Sequence, residues 1–192
     1  MKTLSLLLAG ILLGGCAIEP RMAPENYDFG ISSAANAPDG QDVYLTEVRA
    51  ADWFNTTDML YRLEYLDPRV LRPYSASRWA GLPAAMLAAR LRQSVGSAPT
   101  ARSRQAKCSL SLFITEFSQV FTSEQASRAV LHLRATLIET SNAGQSLVRE
   151  FQLERPATSP DAAGAAAAFS DMAVSVATEL NAWIASAGVC QK

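Results

Sequence analysis

The run from Cys108 to Leu153 constrains the fold most. Cys108, Leu110, Leu112 and Ile114 alternate with Ser109 and Ser111, the period-two pattern of a strand with one buried face. From Phe113 the apolar phase shifts to Phe117 and Phe121. A phase change within one long strand predicts a bulge or bend. The polar stretch from Thr122 to Ser127 makes a hairpin. The next strand sets Ala129, Leu131, Leu133, Ala135 and Leu137 on one face, with His132, Arg134 and Thr136 on the other. Ser141-Asn142-Ala143-Gly144 is a second turn. Leu147 to Leu153 returns as a third strand, with Leu147, Phe151 and Leu153 in phase and Arg149 breaking it.

Helices are expected on either side of this meander. Pro83 suits a first helical turn, where its missing N–H costs nothing. Leu87, Leu91 and Val95 then lie four apart, with Ala84 and Ala88 beside them, and Gly96 is the expected stop. Downstream, Ser159 reads as a cap, Pro160 as the first turn and Asp161 as an acid near the positive dipole end. Phe169, Met172, Val176, Leu180, Trp183 and Ile184 follow at spacings of three and four, a core-facing stripe. Gly188 ends that helix, and Gly164 is placed to break its first turns.

Before the first helix, Tyr27-Asp28-Phe29-Gly30 reads as a short strand, and Pro38-Asp39-Gly40 as a turn. Val43 to Val48 alternates as a strand, with Glu47 an imperfect third member of the Val43–Leu45 face. Trp53 and Phe54 fall in a loop. Met59 to Leu66 is a strand whose buried face carries Met59, Tyr61, Leu63 and Tyr65. Arg69 to Arg72 is a third short strand, and Pro73 to Gly81 reads as turn-like. The order predicts an α+β fold: a mostly antiparallel sheet with two helices packed on one face.

The N-terminus is of another kind. Lys2 precedes an apolar run from Leu4 to Leu13, and Leu13-Gly14-Gly15-Cys16 follows. A basic residue, an apolar core and small exit residues are the parts of a secretory signal peptide. Leu-Gly-Gly-Cys looks like a bacterial lipobox, in which the cysteine sulfur takes diacylglycerol and the new amino group is usually acylated. The alternatives are a signal cut elsewhere or an uncleaved span. The apolar run is short of the roughly 20 residues a membrane helix needs. The expected division is therefore 1–15 signal peptide, 16–26 lipidated N-terminus and tether, and 27–192 a single periplasmic α+β domain. Ala17 after the cysteine, in place of the Asp familiar from inner-membrane retention, points to the outer membrane.

Cys108 and Cys190 are left for a compartment that permits disulfides. A bridge between them is one reading. Two unrelated thiols, one in a strand and one in a tail, is the other.

The formal charge of −1 over 192 residues carries none of the basic excess of a nucleic-acid binder. The single histidine, His132, lies opposite the apolar face of its strand, as a solvent-facing or interface residue would. No Cys/His set has metal-ligand spacing. No Gly-rich phosphate loop follows a strand, and no serine sits in a nucleophile elbow. The residues give no basis for an enzyme or a cofactor. What stands out is an aromatic–arginine cluster: Trp53, Phe54, Tyr61, Tyr65, Tyr74 and Trp79 with Arg62, Arg69, Arg72 and Arg78. Tyr, Trp and Arg are enriched at protein interfaces, so Trp53, Tyr61, Arg62, Tyr65, Tyr74, Arg78 and Trp79 are the candidate interface. Core packing is the competing use for at least half of them.

Several short stretches in order resemble one family. They are Tyr27-Asp28-Phe29-Gly30, Met59-Leu60-Tyr61-Arg62, Trp79-Ala80-Gly81-Leu82-Pro83, Glu116-Phe117-Ser118-Gln119-Val120-Phe121 and Trp183-Ile184. With them the chain is similar to the ABC-type transport auxiliary lipoproteins, which include the PqiC-like proteins. The resemblance implies a non-catalytic docking or scaffold role at the inner leaflet of the outer membrane. Its partners would be an MCE-domain protein with its ABC permease and ATPase, moving phospholipid or other hydrophobic molecules between membranes. Self-association into a homo-oligomeric ring would give the aromatic–arginine cluster a use. A lipid-binding carrier, or an assembly lipoprotein bracing an outer-membrane or cell-envelope complex, are the other readings.

Overall fold

The computed structural model describes residues 23–31, 41–95, 106–140 and 146–190. Cys16, the turn at Pro38-Asp39-Gly40, the stop at Gly96 and the turn at 141–144 lie outside them. Among the described residues, seven strands and two helices follow in the order β1 Glu25–Tyr27, β2 Val43–Ala50, β3 Asp58–Leu63, β4 Asp67–Trp79, α1 Pro83–Ser94, β5 Cys108–Phe121, β6 Ser127–Glu139, β7 Ser146–Pro156 and α2 Ala162–Ala187. The 3-10 turn Asp52–Phe54 joins β2 to β3.

The meander β5–β6–β7 forms the long antiparallel ladders of one sheet. β3 and β4 add a further antiparallel pair. The other edge of β5 is divided between two parallel partners. β2 pairs with Cys108–Ile114, and β3 pairs with Gln119–Phe121. The division falls at a register shift between Ile114 and Glu116, the bulge that the phase change of β5 predicts. β2 has its own shift between Leu45 and Glu47, so Glu47 is exposed where Val43 and Leu45 are buried.

Both helices lie on one face of the sheet, α1 over β2 and α2 over β6 and β7, and they touch each other. The stripe Phe169, Met172, Val176, Leu180, Trp183 and Ile184 is buried against Leu131, Leu133 and Leu137 of β6 in one continuous core. Arg149, the residue that interrupts the phase of β7, sets its guanidinium 4.9 Å from the centre of the Phe151 ring, a cation–π contact at the sheet margin.

The first strand is Glu25–Tyr27, not Tyr27–Gly30, and three further expectations need correction. The cap of α2 is Asp161, not Ser159. The Gly164 N–H donates to Asp161 Oδ1 at 2.8 Å, and the Ser159 hydroxyl donates to the same oxygen at 2.7 Å. A carboxylate is the stronger acceptor at this dipole end, and these donors hold the Asp161 carboxyl below its usual range. Gly164 does not break the helix. A Cβ there would lie 2.2 Å from the Ser159 carbonyl oxygen, so the missing side chain lets the entering loop fold back on the first turn. Third, the stretch from Pro73 is strand, since β4 runs unbroken for 13 residues. β1 covers only Ser77, Arg78 and Trp79 of β4. The rest of β4 has a free edge among the described residues, and prolines are tolerated on edge strands.

Two fastenings close the fold. The Phe29 carbonyl accepts from Ser170 Oγ of α2 at 2.6 Å and from Arg90 Nη2 of α1 at 3.1 Å, which fixes the segment after β1. Cys108 and Cys190 form a disulfide with Cα atoms 5.5 Å apart. Beside it, the Asp42 N–H donates to the Cys190 carbonyl, and the Cys108 N–H donates to the Asp42 carbonyl. The end of α2 is thereby tied to the start of β2 and β5.

Candidate docking surface around the β3–β4 hairpin

The seven candidate interface residues all fall on β3, β4 or their approaches, but they do not form one surface. Trp79 is a core residue: it is 3% exposed. Its ring lies 5.9 Å from Phe29, 5.5 Å from Phe117 and 5.7 Å from Phe169. Phe117 and Phe169 stack at 4.0 Å. Trp79 ends β4 where β1, β5 and α2 converge, so burial claims it.

Tyr61 and Tyr74 continue the core face of the sheet toward the tip of the β3–β4 hairpin. Their rings are 4.8 Å apart, and Tyr61 meets Phe121 at 5.8 Å. The Tyr74 hydroxyl donates to Gln119 Oε1 at 2.7 Å, and Gln119 Nε2 donates to Ser127 Oγ at 2.7 Å. Gln119 is buried, so this chain satisfies a polar group that water cannot reach. Burial, then the Asp161 charge, pushes the Tyr74 phenol well above its ordinary range.

Two of the arginines are occupied within the fold. On the other face, Arg62 Nη2 is 3.1 Å from Glu116 Oε2, and Arg62 Nη1 donates to the Pro68 carbonyl at 3.2 Å. Glu116 also accepts from the Ser118 hydroxyl at 2.6 Å. Arg78 pairs with Asp58, its cross-strand neighbour. Both guanidiniums are held by carboxylates of this chain.

Trp53 and Tyr65 are the candidates that remain on the surface, at opposite ends of β3. Trp53 is 64% exposed beside buried Phe54. Tyr65 belongs to the hairpin turn and not to β3, so its expected place on the buried face is also corrected. It is exposed together with Leu66, at 66%, and Val70. Several charges around this tip are paired. Arg69 Nε lies 2.9 Å from Asp67 Oδ1. Arg128 holds Glu64 through two contacts of 3.0 and 3.1 Å, which lowers the Glu64 carboxyl, and reaches Glu154 at 2.9 Å. Leu66 and Val70 were not in the predicted set. The signal for them is two consecutive large apolar residues, Tyr65 and Leu66, directly before Asp67-Pro68. A tight turn cannot bury both.

Two open clefts of about 410 Å³ flank α1. One is lined by Phe29, Ile31, Met86 and Arg90. The other is lined by Val48, Leu82, Ala85 and Arg92. Between helices and sheet the core side chains pack with little exposure. No described helix is long and apolar enough to cross a membrane. Among the described residues no three His, Cys, Asp or Glu side chains are grouped to hold a metal ion.

Comparison with known proteins decides the family. The family model for the ABC-type transport auxiliary lipoprotein component matches residues 30–181. The chain belongs to this family. The match takes in every strand from β2 to β7, α1 and most of α2. Among solved structures, the chain is similar to protein XCC0632 from Xanthomonas campestris, of family model DUF330, at 21% identity and TM-score 0.63, covering 84% of this chain and 92% of that one. It is also similar to an uncharacterized protein at 14% identity and TM-score 0.66, covering 85% and 99%. At these identities the two structures show a shared fold. No curated protein matches the chain significantly. As a member of the ABC-type transport auxiliary lipoproteins, the protein is a component auxiliary to transport, and the family name describes a lipoprotein.

Proposed function

We propose that the protein is anchored through a lipid on Cys16 to the inner leaflet of the outer membrane. There it docks an MCE-domain protein whose ABC permease and ATPase drive movement of phospholipid or other hydrophobic molecules between the membranes. The observation that carries this reading is the family match over residues 30–181, preceded in the same chain by Leu13-Gly14-Gly15-Cys16. A domain with two acyl attachments on one residue stays on a membrane, since each buried methylene contributes about 0.8 kcal/mol and stable anchoring takes more than one chain. Ala17 favours the outer membrane. The role is to dock and position, with energy supplied by the partner ATPase. A carrier that holds an acyl chain inside its own domain is less well supported, because the space between helices and sheet is occupied by side chains.

The test is crosslinking of the full lipoprotein in cells, capture, and mass spectrometry of what comes with it. Recovery of an MCE-domain protein with its permease is the expected result. Recovery of an outer-membrane barrel or cell-wall protein alone would remove the transport role in favour of envelope assembly.

A further inference from the structure

We infer that the tip of the β3–β4 hairpin, with Tyr65, Leu66 and Val70, rests on the surface of the membrane that holds this chain's own lipid. The inference depends on lipidation at Cys16, the reading given above. It starts from strand direction. β1 is parallel to β4, with Glu25 opposite Ser77 and Tyr27 opposite Trp79. The chain therefore arrives at Glu25 from the side on which β4 runs back toward Asp67 and the hairpin tip.

Length then limits where the membrane can be. Nine residue steps separate Cys16 from Glu25, and an extended chain spans at most about 30–32 Å over them. Arg78 and Asp67 of β4 stand opposite Asp58 and Leu63 of β3, with register shifts between them, so the five steps of β3 set the distance along the hairpin at about 17 Å at strand rise. The tether is thus long enough for the lipid to lie level with the hairpin tip, and the chain enters from the tip's side. The entry point cannot give way to lengthen the reach. The Phe29 carbonyl is fastened to both helices, and its ring sits in the aromatic core.

The tip has the chemistry of a shallow membrane contact. Tyr65, Leu66 and Val70 are exposed together within one turn and the start of one strand. Tyrosine suits a headgroup boundary, with an apolar ring and a polar end. The tip acids are neutralised, Asp67 by Arg69 and Glu64 by Arg128, so apolar contact need not carry bare carboxylates inward. The β5–β6 turn adjoins the tip through the Glu64 N–H, which donates to the Phe121 carbonyl at 2.9 Å. That turn adds the carboxylate of Glu124, so attraction to anionic headgroups is not part of the contact. It should form on zwitterionic lipid.

The experiment uses the full lipoprotein, purified after maturation in cells. Leu66→Cys and, separately, Val148→Cys on β7 are labelled with an environment-sensitive fluorophore. Cys108 and Cys190 are bonded to each other and do not label. Each protein is inserted into phosphatidylcholine vesicles carrying nitroxide on part of the acyl chains. Quenching at position 66 is expected to be at least about threefold stronger than at 148, with emission shifted to the blue. Equal quenching in protein whose mass shows an acylated Cys16 would overturn the hairpin contact and leave the anchoring intact. Absence of acyl mass would overturn both. In cells, a photo-crosslinking side chain at position 66 that captures a polypeptide, whether a second copy or a transport partner, instead of phospholipid would also overturn it.

Discussion

Tyr74 shows what a single residue contributes here and why the sequence does not announce it. Its place beside Tyr61 suggested a surface to be recognised. Its hydroxyl instead satisfies buried Gln119. Period-two patterning reports which face a side chain is on, but not whether its polar atom has a partner inside. Tyr74→Phe leaves Gln119 Oε1 buried without its donor, an expected loss of about 1–3 kcal/mol. Tyr61→Phe keeps its ring contacts and should stay within about 0.5 kcal/mol of the parent. Urea unfolding of the two variants checks this, and equal losses would dismiss the buried bond as a stabilising element. The same site has a pH signature. The folded state raises the Tyr74 pKa through burial, then through the Asp161 charge. Below the unfolded pKa of about 10 the phenol is protonated in both states and stability does not depend on it. Above that, the unfolded chain loses the proton while the folded chain keeps it, so stability falls. Unfolding followed from pH 9 upward should show a steeper decline for the parent than for Tyr74→Phe.

At the level of elements, the readable ones were those with a single buried face. The β6 face from Ala129 to Leu137 and the stripe of α2 are buried position by position as their spacing requires, because one-sided burial imposes a period. β4 was not legible. As an edge strand it tolerates Pro68 and Pro73, and prolines in sequence speak for turns. The split of β5 between β2 and β3 was legible only as a phase change, since a bulge is local and its partners are distant. Gly164 was misread because a glycine in a helix is ordinarily a weakness, and here the loop before the helix needs the space. This reverses the usual sign of a substitution. Gly→Ala in a helix gains about 1 kcal/mol by propensity. Gly164→Ala instead sets a Cβ against the Ser159 carbonyl, and displacing packed backbone costs about 1–3 kcal/mol. The variant is expected to melt below the parent in a thermal scan by circular dichroism. A higher melting temperature would mean that the loop yields freely and the close approach is incidental.

Across the whole molecule, the fold is held by a few long-range ties, and these separate the domain from its anchor. The disulfide joins residues 82 apart in sequence, and closing a loop of that size is worth up to about 4–5 kcal/mol in the chain-entropy model. The double variant Cys108→Ala/Cys190→Ala should lose much of that amount and become indifferent to reductant, whereas the parent's urea midpoint should drop when reductant is present. A parent midpoint that ignores reductant even in the unfolded range would remove the bridge from the stability of the fold. Membrane attachment has a different origin. No described helix is long and apolar enough to span a bilayer, and three side chains at a hairpin tip bury too little apolar area to hold a 20.6 kDa chain on a membrane alone. Retention should therefore rest on the lipid of Cys16. Cys16→Ala is expected to move the protein from the membrane fraction to the soluble periplasmic fraction, with the signal segment still attached or cut elsewhere. Its urea midpoint should be unchanged, because the core and the disulfide lie downstream. Fractionation and unfolding of the same preparation check both halves. A variant that stays with the membrane while folding normally would show that another surface of the domain, and not the lipid, supplies the attachment.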